Sequence, residues 1–447
     1  MDILTIEVGS TITKANGFRR SPEGLLEHFA QGFSATTVLE GDVAVGVEAA
    51  TRDLEKQAGR KLDHPEIHLN SSAAGGLRMT VHGLTYNMTA RAAREAALGA
   101  GAIIKQVTAG ALEQAELDEI RTIQPNIILL AGGVDYGEKK TVLENAEKIA
   151  ALGLKAPVIY AGNSVIRARV QDIFADAGVQ VMVADNVFPD VDVLNINPVR
   201  FLIYEVFNEH IIHAPGMSRV GELTKAPILP TPGAVLRAAE LFADVLGDVL
   251  VIDVGGATTD VHSVTEGNPE WKNKLIDPEP YAKRTVEGDL GVYINAKNVL
   301  SLSADPEWSD RIEDLRALPQ TKQEINLTHY LCERAVETAI RRHAGIISDQ
   351  YTPVGKKQVI KGKDLTGVKW VVGTGGALTR IPGGAEILKG ICKGPGKYLL
   401  PMPEARILID RDYLFSALGT LAASYPDEVR KTMLQWVQAS DRSTEAN

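Results

Sequence analysis

Residues 4–14 read LTIEVGSTITK, and residues 250–260 read LVIDVGGATTD. Sliding the first onto the second by 246 positions carries Ile6 onto Ile252, Glu7 onto Asp253, Val8 onto Val254, Gly9 onto Gly255 and Thr13 onto Thr259. Each stretch is a β-branched run that ends in an acid and then breaks at glycine, the pattern of a strand leading into a hairpin turn. An echo at more than half the chain length predicts two related hairpins on paired sheets.

The chemistry of the second stretch follows from its residue types. A buried strand delivers the Asp253 carboxylate to its carboxyl end, and Gly255 and Gly256 free the backbone so that N–H groups reach a phosphate. Ala257 keeps that turn small, and Thr258 and Thr259 add hydroxyls. An acid beside a phosphate nest implies an intervening cation, so Asp253 predicts Mg²⁺ held through oxygens and waters. In the first stretch Gly9, Ser10, Thr11 and Thr13 offer backbone and hydroxyl donors, Lys14 brings a positive point charge, and Glu7 takes the place of the acid. A third stretch, VVGTGGALTR at 371–380, places Gly373, Thr374, Gly375 and Gly376 between a buried strand and a short helix, where backbone approaches a ligand closely. No GxxxxGK[ST] loop is present in that stretch, and it does not complete a GxGxxG fingerprint.

The rest of the chain bounds these readings. At 447 residues it is long enough for two or three lobes. Its 45% hydrophobic and 23% charged residues suit a packed globular protein rather than a disordered one. A net charge of −10 with no dense basic run disfavours a nucleic-acid or anionic-membrane surface. Cys332 and Cys392 are the only cysteines, which excludes a disulfide framework and a thiolate metal cluster. The start MDILTIEV lacks a basic signal segment, and no apolar run approaches the roughly 20 residues of a membrane span; a cytoplasmic protein is expected. The pairs His210/His213 and His64/His68 complete no metal motif, and Pro65 breaks the second pair's shared helical face.

Along the chain, a hairpin opens the sequence, and β-branched runs at 33–46 are expected to continue its sheet. EIHLNSSAAGGLRMTVHGL (66–84) reads as paired strands around a Gly-rich turn, and Thr89 as the N-cap of an alanine-rich helix. Helices then alternate with the short apolar strands NIILLAGG, PVIYAG and VQVMVAD, which predicts a parallel sheet with crossover helices over about 65–200. The loops AGGVDYGE and AGNS follow its strands, where open α/β sheets place ligands, although their glycines equally serve close packing. Helices are expected at 197–209 and 233–243, a turn at Glu287–Gly291, a long helical region at 321–349, and a helix at 414–425. The tail beyond Gln438 is polar and expected to fray.

In order, IEVGSTITK, IDVGGATTD and VVGTGGA resemble the phosphate-one, phosphate-two and adenosine motifs of the actin, heat-shock-chaperone and sugar-kinase superfamily of ATPases. That resemblance implies two duplicated lobes on ribonuclease-H-like sheets, here 1–245 with the module at about 65–200 inserted, and 246–447, with ATP or ADP and Mg²⁺ between them. RTVEGDLG (284–291) falls where the superfamily has a Gly-rich hairpin near the nucleotide, bringing in Gly288 and Asp289, and FSALGTLAA (415–423) resembles its late helix. A nearly full-length resemblance, carried by TIEVGSTITKANGF, LLAGGVDYGEK, VIDVGGATTDVHSV and RTVEGDLGVY, is to the glutamate mutase (methylaspartate mutase) accessory protein family. It implies an ATP-dependent reactivating chaperone of an adenosylcobalamin-dependent mutase, with the mutase subunits as partners and self-association open.

By the same resemblance Asp253 orients Mg²⁺-bound water, Lys14 and both hairpins stabilise the γ-phosphoryl charge, Glu7 or Asp260 positions the attacking water, and Glu7 joins Asp253 at the metal. Glu7 departs from the superfamily, where aspartate is usual. The helix carrying Arg341, Arg342 and His343 either flanks adenine or is an exposed basic face. A small-molecule kinase of the sugar-kinase type and a nucleotide-controlled filament-forming protein use the same fold and stand as alternatives.

Overall fold

The computed structural model describes residues 2–73, 77–302, 308, 312–353 and 355–445. Their arrangement is α/β, built on three five-stranded sheets and one two-stranded ribbon. The first sheet uses strands Asp2–Val8, Ile12–Arg20, Leu26–Ala35, Glu66–Ser71 and Leu229–Pro230. Counted along the chain, these lie in the order 5-4-1-2-3. Another sheet uses Val249–Val254, Thr259–Val264, Ala282–Glu287, Trp370–Thr374 and Arg406–Ile409 in the same order. In that sheet strands 1, 2 and 3 pair antiparallel, while strands 4 and 5 pair parallel. The duplication read from two eleven-residue stretches therefore extends to whole sheets.

Between the fourth and fifth strands of the first sheet the chain inserts a module of its own. Strands Arg78–Gly83, Ile103–Ala109, Ile127–Leu130, Val158–Tyr160 and Val181–Val183 are all parallel, in the order 2-1-3-4-5. Helices Arg91–Gly99, Gln114–Ile123, Lys140–Ala150 and Arg167–Asp176 supply the crossovers. Buried Leu117, Ile120, Val142, Ala146, Ile149, Val170 and Phe174 recur at helical spacing and cover Ile128, Leu130, Val158 and Tyr160. Close packing accounts for Gly162, where a Cβ would press on the Gly132 carbonyl oxygen at 2.7 Å.

The chain divides into two compact units. One takes the residues through Ile3, Asn16–Gln31 and everything from Ala234 on; the other takes Leu4–Ala15 and Gly32–Gly233. In the former, helix Lys322–His343 starts at a capping box of Thr321 and Glu324 and buries Leu327, Leu331, Cys332, Ala335, Val336, Ala339 and Ile340. In the latter, helix Val43–Ala58 is capped by Asp42, whose carboxylate accepts from Ala44 N at 2.9 Å, and stops at Gly59.

Several local expectations change. The third strand ends at Ala35, and Val38–Glu40 is a 3₁₀ turn leading into the helix at Val43, because Asp42 caps there. Strands Glu66–Ser71 and Arg78–Gly83 do not pair with each other but belong to different sheets. Of the Gly-rich turn expected to join them, residues 74–76 lie outside the described residues. Thr89 does not cap the alanine-rich helix: its Oγ1 accepts from Leu84 N and Thr85 N, closing a π-turn at Tyr86–Ala90. The long helix stops at His343, and Ile346–Thr352 is instead half of an antiparallel ribbon with Gly355–Lys361. Helix Pro426–Glu445 extends past Gln438 into the expected frayed tail, while its buried anchors Val429, Met433 and Val437, four residues apart, all precede that point.

Candidate functional site

The hairpin of Val249–Val254 and Thr259–Val264 keeps its ladder to the pair Val254–Thr259, so residues 255–258 make the turn. Gly255 N donates to Thr258 O at 2.9 Å and closes it. The turn's carbonyls are then tied back by a loop arriving from the third strand. Val292 N donates to Gly255 O (3.2 Å), Tyr293 N and Ile294 N both donate to Gly256 O (2.9 and 2.7 Å), and Asn295 Nδ2 donates to Ala257 O (2.7 Å). With the carbonyls so engaged, the N–H groups of Gly256 and Ala257 donate to no protein acceptor among the described residues. Successive backbone donors without acceptors form a concavity suited to an anion.

Acids and their counter-charges gather on the same sheet. Asp253 stands directly opposite Asp260 on the second strand and beside Thr374 on the fourth. Two carboxylates facing each other across a ladder repel. Buried Arg284 on the third strand offsets this: its Nη2 lies 2.6 Å and its Nε 2.8 Å from Asp260 Oδ1. Thr258 Oγ1 donates to Asp260 Oδ2 at 3.1 Å. The third glycine-rich stretch arrives through the Asp253–Thr374 pairing. Gly375 is left-handed (φ 84°), and a Cβ there would collide with Asp253 Oδ1 and the Val254 backbone, so only glycine fits beside the acid. Gly373 packs against Leu388 and Ile409, and Gly376 opens the short helix Gly376–Thr379. Thr374 Oγ1 donates to fully buried Asp410, which also accepts from Leu414 N and Phe415 N and so caps the helix Leu414–Leu421.

The basic end of helix Lys322–His343 resolves into three different environments. Arg342 forks onto the turn after the third strand: Nη1 lies 2.6 Å from Glu287 Oε2 and 2.8 Å from Asp289 Oδ1, and Nη2 lies 3.0 Å from Asp289 Oδ2. Burial pushes the Glu287 carboxyl up and Arg342 pulls it back, while the Arg342 hydrogen bonds hold Asp289 down. Fully buried His343 hydrogen-bonds Ser263 (2.8 Å) and Thr285 (2.9 Å), and its burial keeps it neutral, well below the ordinary histidine value. Arg341 pairs with Glu337 at 2.6 Å and lines a groove of about 330 Å³ with Ile340, Lys393, Lys397 and Tyr398.

The first hairpin repeats the second at the same offset. Gly9 N donates to Ile12 O at 3.1 Å, as Gly255 N does to Thr258 O. Thr36 ties the carbonyls back: its Oγ1 donates to Gly9 O (2.8 Å) and its N–H to Thr11 O (3.0 Å). Ser10 and Thr11 are exposed, and their N–H groups donate to no protein acceptor among the described residues. Thr13 and Thr259 are fully buried, their hydroxyls bonded to Thr36 Oγ1 and Leu290 O. Lys14 Nζ lies 2.6 Å from Glu7 Oε1, both largely buried.

Asp253, Gly255–Asp260, Gly288, Asp289 and Gly373–Gly376 thus belong to one unit, and Glu7, Gly9–Thr11, Thr13 and Lys14 to the other. Asn295 and Asp410 were not among the residues read from sequence, and Arg284 and Arg342 were named there only as the start of RTVEGDLG and as part of a basic helix end, without these contacts. Asp410 carried a readable signal, since RILID ends an apolar strand in an acid as LVID does. The others are recognisable only through partners tens of residues away. No group of three or more His, Cys, Asp or Glu is gathered as a metal cage among the described residues, and no helix among them is long and apolar enough to cross a membrane.

Two sheets of one strand order, each presenting a closed hairpin turn beside an acid, define an α/β protein of duplicated sheets with an inserted parallel module. The chain belongs to the MutL protein family, whose family model matches residues 3–437. It is 37% identical over 461 aligned positions to Protein MutL of Clostridium tetanomorphum, covering 97% of this chain and 98% of that protein. Among solved structures it is similar to acetone carboxylase in a nucleotide-free structure (14% identity, 99% of this chain, TM-score 0.34), of which it spans 61%. It is also similar to a diol dehydratase-reactivating factor in nucleotide-free form (13% identity, 87% of this chain and 94% of that one, TM-score 0.33).

Proposed function

We propose that this chain is a cytoplasmic, ATP-binding and ATP-hydrolysing reactivating chaperone for an adenosylcobalamin-dependent mutase such as glutamate mutase, built from ATPase lobes at 1–245 and 246–447. The observation that carries nucleotide binding is the matched pair of turns. At both, the carbonyls are engaged from behind and successive N–H groups are left to donate outward. The mutase partner rests on the motif resemblance and on the family, not on the geometry.

In this reading the N–H groups of Ser10, Thr11, Gly256 and Ala257, with the Ser10, Thr11 and Thr258 hydroxyls, bind the phosphates of ATP or ADP. Asp253, with Glu7, would hold Mg²⁺: their oxygen-only donors match a hard cation that takes one or two protein carboxylates and keeps its waters. When bound, such an ion neutralises phosphate charge. Arg284 pairs with Asp260 on the strand opposite Asp253, and Thr258 is oriented by Asp260. Lys14 fixes Glu7 and adds positive charge near the first turn. Gly375 brings the third motif against Asp253.

The test is rescue. An inactivated mutase encoded beside this chain's gene, given ATP and free adenosylcobalamin, should regain turnover when this chain is added and not with ADP alone. Absence of rescue would remove the partner reading. ATP consumption only with a small-molecule acceptor would instead identify a kinase, and light scattering on nucleotide addition a filament.

A further inference from the structure

The loop that ties back the second turn is itself held by one side chain. It leaves the third strand at Glu287, passes Gly288 and Asp289, and at Val292–Asn295 delivers the four donors to the carbonyls of Gly255, Gly256 and Ala257. Asn295 Nδ2 also donates to Gly288 O at 2.9 Å, so both ends of the loop meet at one amide. Gly291 packs so closely on Ala257 that a Cβ would overlap its carbonyl carbon. At the start of the loop two carboxylates, Glu287 and Asp289, lie one residue apart, with Asp260 adding to the negative field at Glu287. The Arg342 guanidinium spans both of them in a three-bond fork.

We propose that Arg342 is the positioning residue of the phosphate-binding turn: by clamping Glu287 and Asp289 it sets the loop 287–295, which in turn aims the N–H groups of Gly256 and Ala257. Arg342 belongs to helix Lys322–His343, whose next residue, His343, fastens the second and third strands through Ser263 and Thr285. The end of that helix is therefore fixed to the sheet by His343 and to the turn by Arg342, and movement of the helix would pass to the turn through the fork. Without the guanidinium, the paired acids repel each other and Glu287, pushed towards its neutral form by burial, loses its counter-charge.

The inference rests on the nucleotide reading for its consequence but not for its geometry, and the experiment separates the two. In the full chain without nucleotide, Arg342→Gln should raise amide exchange in the segment 288–296 roughly tenfold. Arg341→Gln, which removes the same charge from the same helical turn, should leave that segment unchanged. Adding Glu287→Gln and Asp289→Asn to Arg342→Gln removes the repulsion and should restore part of the protection. In parallel, Arg342→Gln should weaken ATP binding roughly tenfold, the loss of charge-assisted hydrogen bonds, while Arg342→Lys, which keeps the charge without the fork, should lie between. Unchanged exchange in Arg342→Gln overturns the proposal whatever the chain binds, and so does a loosened loop with unchanged ATP affinity. If the wild-type chain binds no ATP while the loop loosens, the clamp stands and the nucleotide reading falls.

Discussion

At the first turn Glu7 is paired with Lys14 at 2.6 Å; at the second, Asp253 stands opposite another acid, Asp260, whose counter-charge comes from Arg284 on the next strand. The two turns share a backbone, with the same closing hydrogen bond and the carbonyls of positions 9 and 11 and of 255 and 257 engaged from behind. What differs is charge. One copy neutralises its acid within the hairpin; the other moves the neutralising cation one strand away and leaves two acids facing each other. The same turn geometry thus stands beside a lysine at position 14 in one hairpin and beside an acid at position 260, seven residues past its own acid, in the other.

Breaking the acidic member should have the largest effect. Asp253→Asn removes the carboxylate assigned to the cation and should lower Mg²⁺-dependent ATP hydrolysis by about 100-fold or more, with thermal unfolding little changed. Near-normal turnover would show that the two hairpins do not differ in the way described. Next comes Arg284→Gln, which strands buried Asp260 opposite Asp253. It should cost about 3 kcal/mol of stability in denaturant melts, with a large part recovered by adding Asp260→Asn. If the double variant is no more stable than the single one, Arg284 acts by packing and not by charge.

Lys14→Ala tests the other member. It should weaken ATP more than ADP, roughly tenfold against a few-fold, because the lost charge serves the outermost phosphate. Equal losses would reduce Lys14 to the structural partner of Glu7. The smallest effect is a pH dependence. His343 is held neutral behind the second hairpin, so the unfolded chain binds a proton there that the folded chain does not. The stability of this region is thus fully present above the ordinary histidine value near 6.5 and is lost as pH falls below it. Amide protection across 259–264, taken relative to the intrinsic exchange rate at each pH, should fall between pH 7.5 and 5.5, and His343→Gln should flatten that slope.

Much of this was readable before any fold was in hand. The strand–acid–glycine pattern located both turns, and the alternation of helical and apolar segments gave the parallel module, because each depends on neighbours a few residues away. Hidden were the parts decided by distant partners. Thr36 reaches back to Gly9, Arg342 reaches across 53 residues to Asp289, and Glu66–Ser71 pairs with Leu229–Pro230 across the whole insertion. Thr13 and Thr259 show the limit most clearly. As residue types they suit phosphate contact, yet strand alternation turns both side chains inward, where their hydroxyls serve Thr36 and Leu290.

The most direct test of the account is amide exchange of the full-length chain with and without Mg²⁺-ATP, read at residues 9–12 and 255–258. If each turn accepts nucleotide phosphate, the amides of Ser10, Thr11, Gly256 and Ala257 should all gain protection at saturating ATP. Protection at one turn alone, or at neither, would contradict it.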